Sequence, residues 1–102
     1  MPRISIKELE KLPQESGIYK VIYVDLTIPS PTDVVIYVGQ ALNLNNRWKR
    51  HEKYPVFIRD NYNPNELFIE WIEVPELLLN CAENTAIKFY SPKYNKRMTS
   101  GI

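Results

Sequence analysis

The sequence is poor in the residues that cross-link small proteins. Among its 102 residues there is one cysteine, Cys81, and one histidine, His51. A single cysteine excludes an intrachain disulfide, and one cysteine with one histidine cannot supply the four ligands of a structural zinc site. Cys81 falls in a predicted amphipathic helix, so we expect it to be a small core residue.

Long apolar runs and net charge are also lacking. No stretch of the sequence is apolar for long enough to form a transmembrane helix or a signal peptide, so a cytoplasmic protein with no membrane contact is the expectation. The formal charge of +1 does not by itself indicate a nucleic-acid binder. Hydrophobic residues make up 44% of the chain, enough for one modest core, and the length predicts a single domain over residues 1–102.

The basic residues that are present are unevenly distributed. One basic group lies at residues 47–59 and a second at residues 88–97, whereas acidic residues concentrate near the N-terminus and at residues 66–76. Solvated helix faces are one interpretation of such groups. Two basic groups on either side of a candidate site favour the other interpretation, a surface that contacts phosphates.

Hydrophobic patterning predicts three strands and several helices. The strands are expected at residues 17–24, 34–38 and 67–74, which are rich in β-branched and aromatic residues. We expect Gly39 to end the second strand. Helical spacing and stop residues predict helices at residues 6–12, 43–54, 56–62 and 76–90.

The first two predicted strands are expected to pair in antiparallel fashion. If Val24 lies opposite Val34, then Tyr19 lies opposite Gly39 and shares a face of the sheet with Tyr37. Gly39 has no side chain and would leave open space over Tyr19.

The helix predicted at residues 43–54 carries two polar residues at the edge of its apolar stripe. Leu44 and Trp48 recur at helical spacing, and Arg47 and His51 are also four residues apart. At about 100° per residue, all four lie on one face. We therefore expect Arg47 and His51 to point toward the body of the protein.

Glu83 is the most informative residue of the second half of the chain. It lies about 40° from Leu79 in the apolar stripe of the helix predicted at residues 76–90. A carboxylate in such a stripe is costly unless it is paired, hydrogen-bonded or bound to a metal. A snorkelling or salt-bridged glutamate is the alternative. Beyond this helix we expect Tyr94 and Asn95 to follow in an extended tail.

These residues together resemble the motifs of the GIY-YIG nuclease superfamily. Residues 17–19 match its first motif, and residues 37–39 match its second, with valine in place of the central isoleucine. Arg47 stands ten residues after Tyr37, and His51 stands four further on, as in many members. Both tyrosine motifs in register with the arginine and histidine make a strong combined signal.

The last motif of the superfamily is similar to residues 83–95, which begin with Glu83 and end with Asn95. The resemblance thus covers residues 17–95. It implies an α+β fold, an α/β sandwich in which a three-stranded antiparallel sheet is flanked by helices. The strands and helices predicted from hydrophobic patterning follow a compatible order.

The resemblance also implies metal-dependent hydrolysis of DNA phosphodiester bonds, as in homing endonucleases, certain restriction enzymes and the excision-repair nuclease subunit. One divalent cation, Mg²⁺ or Mn²⁺, is implied, with Glu83 as its ligand, since hard cations prefer oxygen donors. Arg47 is expected to make bidentate hydrogen bonds to the scissile phosphate, a geometry that lysine lacks.

The remaining catalytic roles rest on the resemblance alone. Tyr19 is the candidate that receives the proton of the attacking water, with His51 relaying or accepting it. Tyr37 would position the water or the phosphate. Asn95 would hold the C-terminal tail over the site or support Glu83.

Two departures from the pattern of the superfamily stand out. The connection at residues 25–33 is longer than the common hairpin, which indicates an insertion. Gln40 stands near the position where excision-repair nucleases carry a lysine, so the chain departs from their pattern there. The residues expected to contact nucleic acid are Gly39, Gln40, Lys49, Arg50 and Lys53.

Two other functions compete with an active nuclease. One is a catalytically inactive nucleic-acid-binding or assembly module that retains the fold, and the other is a small interaction domain without nucleic acid. Structure-specific, weakly sequence-specific and partner-directed cleavage all stay open, with a protein partner as a source of specificity. RNA also stays open as a substrate.

Overall fold

The computed structural model of the chain describes residues 2–49, 56–57 and 60–95. The strands are β1 (Arg3–Ser5), β2 (Gly17–Val24), β3 (Asp33–Ala41) and β4 (Leu67–Glu73). The α-helices are α1 (Leu44–Lys49) and α2 (Leu79–Tyr90). Short 3-10 helices cover Ile6–Lys11, Pro64–Glu66 and Glu76–Leu78.

The strands form one antiparallel sheet in the order β1-β4-β2-β3. The predicted α+β architecture is confirmed, and the three predicted strands are all present. Within the described residues the sheet has four strands rather than three, because β1 adds to the outer side of β4. Arg3 helps to fix this strand by donating from Nε to the Glu70 carboxylate at 2.7 Å.

The predicted register around the tyrosine motifs is confirmed. Tyr19 lies opposite Gly39, and Val21 lies opposite Tyr37. The expectation that Gly39 ends its strand is wrong, because β3 continues to Ala41, which pairs with Gly17 at the start of β2. The glycine therefore lies inside the ladder and not at its end.

A bulge shifts the register at the far end of the same strand pair. The shift falls between Val21 and Ile22, so Val24 lies opposite Asp33 and not opposite Val34 as predicted. Ile36 is the extra residue on β3. A bulge of this kind absorbs one residue without disturbing the pairing beyond it.

The two faces of the sheet carry separate apolar clusters. One face packs Tyr19, Tyr37 and Ile69 against α1 and the first 3-10 helix. The opposite face packs Ile18 and Val38 against α2. Because side chains alternate along a strand, neighbouring residues of β2 and β3 contribute to different clusters.

The helix predicted at residues 6–12 is present, but it is a 3-10 helix and not an α-helix. Ser5 caps it, its side chain accepting from the Lys7 N–H at 3.2 Å, and Glu8 completes a capping box. The segment Ile6–Lys11 is a 3-10 helix with a non-helical residue at Glu8. Such short, capped segments form 3-10 turns readily.

Two expectations for the second half of the chain are wrong. Cys81 is exposed, because it lies on the outer side of α2. Residues 93–95 are helical rather than extended. Tyr94 explains this turn, since its ring packs edge-on against Phe57 with centroids 5.0 Å apart and its hydroxyl donates to Asp60 at 2.5 Å.

Part of the predicted helical content falls outside the described residues. The helix predicted at residues 43–54 is observed as Leu44–Lys49, and residues 50–55 are not described. Of the helix predicted at residues 56–62, Val56 and Phe57 are helical and residues 58–59 are not described. None of the described helices has the length and apolar character needed to cross a membrane.

Candidate active site

The two motif tyrosines lie side by side under α1. Tyr19 is 0% exposed and Tyr37 is 5% exposed, and their ring centroids are 6.2 Å apart. The Trp48 ring meets Tyr19 edge-on, with centroids 5.1 Å apart. The sequence expectation that the tyrosines share a face is therefore confirmed, and Trp48 of α1 closes over them.

Gly39 makes room for the Tyr19 side chain. A Cβ atom at position 39 would clash with the hydroxyl and ring of Tyr19. The expected open space over Tyr19 is thus taken up by its own phenol end. A larger residue at position 39 would force Tyr19 to move, so the glycine of the second motif fixes the position of the tyrosine of the first.

Arg47 reaches this group from the first turns of α1. The helix begins after Asn43, whose side-chain oxygen accepts from the Asn46 N–H at 3.0 Å, and this places half-buried Arg47 beside Tyr19. Burial raises the pKa of Tyr19 and the neighbouring Tyr37 adds to the rise, whereas the charge and hydrogen bond of Arg47 lower it. Burial prevails, so Tyr19 is a neutral phenol at physiological pH.

Glu83 approaches from the opposite face of the sheet. It is half-buried on α2, and Gln40 of β3 donates to its carboxylate at 3.4 Å and to the Asn80 side-chain oxygen at 2.7 Å. Burial raises the pKa of Glu83, and the hydrogen bond from Gln40 lowers it less. Within the described part of the chain, no cation lies at ion-pair distance from Glu83.

Strand β3 connects these two groups of residues. Gly39 covers Tyr19 on one face of the sheet, and the next residue, Gln40, contacts Glu83 on the other face. The structure therefore brings Tyr19, Tyr37 and Arg47 together on one face of the sheet and places Glu83 on the other face, at the next residue of β3. The sequence analysis missed Asn80, which binds Gln40 together with Glu83. Asn80 lies three residues before Glu83 on the same helix face, and this spacing could have indicated that the two residues share a neighbour.

Asn95 binds the backbone of β3 just before these residues. Its side-chain oxygen accepts from the Val38 N–H at 2.7 Å, and its side-chain nitrogen donates to the Val38 carbonyl at 2.8 Å. Asn95 is only 7% exposed. Of its two expected roles, the contacts with Val38 support the one in which it holds the C-terminal segment against the site.

We expect the substitution Asn95→Ala to destabilise the protein by about 1–3 kcal/mol, because it leaves both buried polar groups of Val38 without partners. Urea unfolding followed by circular dichroism measures this difference in the free energy of unfolding. Asn84→Ala is the matched control, since Asn84 is exposed on α2. Equal free energies for Asn95→Ala and the wild type would show that the side chain does not hold β3.

The remaining predicted site residues lie outside the described part. His51, Arg50 and Lys53 are among residues 50–55, and Lys49 is described only through its backbone at the end of α1. Their expected roles in proton transfer and nucleic-acid binding stay predictions. Gly39 is buried and Gln40 is half-buried, and their expected contacts with nucleic acid also stay predictions.

Comparison with solved structures identifies similar domains. The magnesium-bound GIY-YIG N-terminal endonuclease domain of UvrC from Thermotoga maritima matches with a TM-score of 0.59 and 29% identity, covering 86% of this chain and 91% of that chain. A point mutant of the same domain, bound to its catalytic divalent cation, matches with a TM-score of 0.58 and 29% identity, covering 86% of this chain and 90% of that one.

Curated proteins give the same result at the level of sequence. UvrABC system protein C of Ruminiclostridium cellulolyticum is 34% identical over 96 residues, which cover 87% of this chain and 14% of that protein. The corresponding protein of Fusobacterium nucleatum is 36% identical over 91 residues, covering 82% of this chain and 13% of the relative. The chain thus matches about one seventh of the length of these relatives. No protein-family model matches the chain.

The fold, the two tyrosine motifs and these similarities show that the chain belongs to the GIY-YIG superfamily of endonuclease domains. The resemblance found in the sequence is confirmed. Within that superfamily, the proteins that it matches are UvrC proteins, and the solved domains among them are N-terminal endonuclease domains.

Proposed function

We propose that this domain is a metal-dependent endonuclease that hydrolyses phosphodiester bonds in DNA. The observation that carries the proposal is the half-buried Glu83, which has no described cationic partner and meets β3 beside the residue that covers Tyr19. The divalent cations of the Thermotoga maritima domain support it. The inactive binding module remains the competing function.

Glu83 has the chemistry of a ligand for Mg²⁺ or Mn²⁺. Its carboxylate is a hard oxygen donor whose only described hydrogen bond is a long one from Gln40. Among the described residues no group of three His, Cys, Asp or Glu side chains could hold a metal ion. A single carboxylate suits Mg²⁺, which keeps several waters, and the bound cation would stabilise negative charge on the leaving oxygen.

Arg47 and Tyr37 would bind and orient the phosphate. The guanidinium of Arg47 presents parallel N–H donors that match two phosphate oxygens and stabilise the charge that grows there in the transition state. Tyr37, which is buried next to Tyr19, would orient the attacking water or the phosphate with its hydroxyl.

The proton of the attacking water is proposed to pass through Tyr19. Since burial raises its pKa, Tyr19 does not hold a phenolate at neutral pH and would accept a proton only while it gives up its own. The recipient in this proposal is His51, whose ordinary pKa suits it to proton transfer. Because Tyr19 is completely buried, this relay also requires the groups that cover its ring, Trp48 among them, to move on substrate binding.

A plasmid-nicking assay tests the proposed activity. Supercoiled DNA is incubated with the purified chain in Mg²⁺, in Mn²⁺ and in excess chelator. Nicking that requires the cation is the expected result. Binding of DNA in a mobility-shift assay without nicking in either metal would favour the inactive binding module.

We further propose that cleavage is structure-specific or only weakly sequence-specific, because the basic groups favour phosphate contacts and these carry no sequence information. The curated relatives are described as one protein of the UvrABC system. By extension, a protein partner of this chain would direct it to its target.

DNA binding is expected to be weak and strongly dependent on salt. If Arg47, Lys49, Arg50 and Lys53 make about four phosphate contacts, the slope of log K against log salt concentration is about −3 to −4. Fluorescence anisotropy with a labelled duplex at several salt concentrations measures this slope. A flat response, or tight binding to one sequence at physiological salt, would contradict the expectation.

A further inference from the structure

A groove opens beside the C-terminal end of α2, away from the residues assigned to catalysis. It has a volume of about 820 Å³ and lies between α2, the first part of β3 and the segment after the helix. Its charged and aromatic lining among the described residues consists of Lys20, Asp33, Tyr62, Phe89, Tyr90 and Lys93. We call it the α2 groove.

Aromatic side chains dominate one wall of the α2 groove. Phe89 is 79% exposed, and its ring is nearly perpendicular to that of Tyr90, at 82° with centroids 4.8 Å apart. Because the two rings meet edge to face, Tyr90 supports Phe89 while the large ring of Phe89 stays in water. A phenylalanine held in this way offers a stacking surface for a planar ligand.

Among the charged residues of the groove, one lysine has no carboxylate partner within the described part of the chain. Lys20 donates to the Tyr90 hydroxyl at 3.0 Å and pairs with Glu70 at 3.3 Å. Asp33 is paired with Arg3 at 2.5 Å. Lys93 lies on the other side, where its Nζ is 5.5 Å from the Tyr94 ring centre and 5.9 Å from that of Tyr62.

Lys93 is therefore available to an anion. Within the described residues no carboxylate pairs with it, and its side chain is exposed. The groove thus combines a solvent-exposed aromatic ring with an available ammonium group. Proteins that bind single-stranded nucleic acid use this combination, in which bases stack on rings and cations meet the phosphates.

The α2 groove lies on the same helix as Glu83, the proposed metal ligand. Tyr90 is seven residues beyond Glu83 on α2, which is about two turns and about 10 Å along the helix axis, on nearly the same face. A DNA strand that places a phosphate at Glu83 could therefore extend along α2 into the groove.

We propose that the α2 groove binds an unpaired nucleotide of the DNA strand next to the cleaved bond, with its base stacked on Phe89 and its phosphate at Lys93. This inference rests on the proposed nuclease function and adds a subsite to it. It predicts a preference for substrates that have a single-stranded segment beside the cleavage position.

Binding without cleavage tests the subsite. Labelled oligothymidine and a blunt duplex are titrated with protein in chelator, with anisotropy as the readout. Phe89→Ala is expected to weaken binding of oligothymidine about 5- to 100-fold and binding of the duplex less than about 2-fold. Leu77→Ala is the matched control, because Leu77 is 97% exposed but lies outside the groove, and it should bind both ligands as the wild type does.

Lys93→Gln gives an independent readout of the phosphate contact. It should reduce the magnitude of the salt slope for oligothymidine by about 0.7, the value for one phosphate contact on a single strand. Wild-type affinity of Phe89→Ala for oligothymidine, or an unchanged salt slope in Lys93→Gln, would overturn the proposal.

Nicking of supercoiled plasmid by the same proteins separates this inference from the proposed function. If the wild type fails to nick while Phe89→Ala selectively loses oligothymidine binding, the proposed nuclease function fails and the subsite is supported. If the wild type nicks and Phe89→Ala binds oligothymidine normally, only the subsite is overturned.

Discussion

Replacing Glu83 with glutamine is expected to reduce cleavage by about three orders of magnitude or more. The substitution keeps the volume of the side chain but removes the carboxylate that would hold the divalent cation, whose stabilisation of charge on the leaving oxygen is then lost. A glutamine carbonyl can still accept the hydrogen bond from Gln40, so we expect the fold to be retained.

Single-turnover nicking in Mg²⁺ and isothermal titration with Mn²⁺ measure the two consequences of Glu83→Gln. Glu76→Gln is the control, since Glu76 is an exposed carboxylate in the 3-10 turn before α2. It should cleave at the wild-type rate. A Glu83→Gln protein that also cleaves at that rate would show that Glu83 is not the metal ligand.

The pH dependence of the free energy of unfolding tests whether the Glu83 carboxyl is buried in the folded protein. Burial raises its pKa above the ordinary value of 4.5, so the folded protein retains this proton to higher pH than the unfolded chain does. The contribution of Glu83 to stability is therefore present below pH 4.5 and is lost as the pH rises through its folded pKa. Urea unfolding of the metal-free protein across this range should show a smaller decline in Glu83→Gln than in the wild type.

Replacing Arg47 with lysine is expected to slow cleavage by about two to three orders of magnitude. The positive charge remains, but the planar pair of N–H donors that fits two phosphate oxygens is lost. The hydrogen bond of Arg47 to Tyr19 would also be weakened, although the coulombic effect on its pKa would partly persist. DNA binding should change little, because the lysine at position 47 keeps the positive charge that attracts phosphate.

Single-turnover cleavage and anisotropy separate these two effects of Arg47→Lys. Arg3→Lys makes the same exchange far from the site, in the ion pairs with Asp33 and Glu70, and should alter stability but not the cleavage rate. A loss of DNA affinity as large as the loss of rate would assign Arg47 to substrate binding and not to the transition state.

The sequence predicted those parts of the fold that local patterns determine. Strand β2 has the predicted bounds, and Tyr19 lies opposite Gly39 because the alternation of side chains fixes a face. The three-residue strand β1 was missed, since its place depends on Glu70, which is distant in sequence. The bulge at Ile36 was missed because no local signal distinguishes it from a continuous strand.

The candidate site was predictable as a set of residues but not as an arrangement. The inward position of Glu83 followed from the helical stripe, yet its contact with Gln40 depends on how α2 crosses β3. Cys81 was expected in the core because it sits within an amphipathic helix, but it lies outside the buried stripe of that helix. The helical turn of residues 93–95 depends on the packing of Tyr94, which belongs to tertiary structure.

The hydrogen bonds of Asn95 also cover part of one edge of the sheet. Strand β3 is an outer strand of the sheet, so the outward N–H and carbonyl of Val38 form part of an open edge. A carboxamide carries the same donor and acceptor as a peptide group, and Asn95 therefore occupies the place that a strand from a second molecule would take. The side chain that secures the C-terminal segment thus also fills the backbone hydrogen-bonding positions at Val38 that an added strand would need.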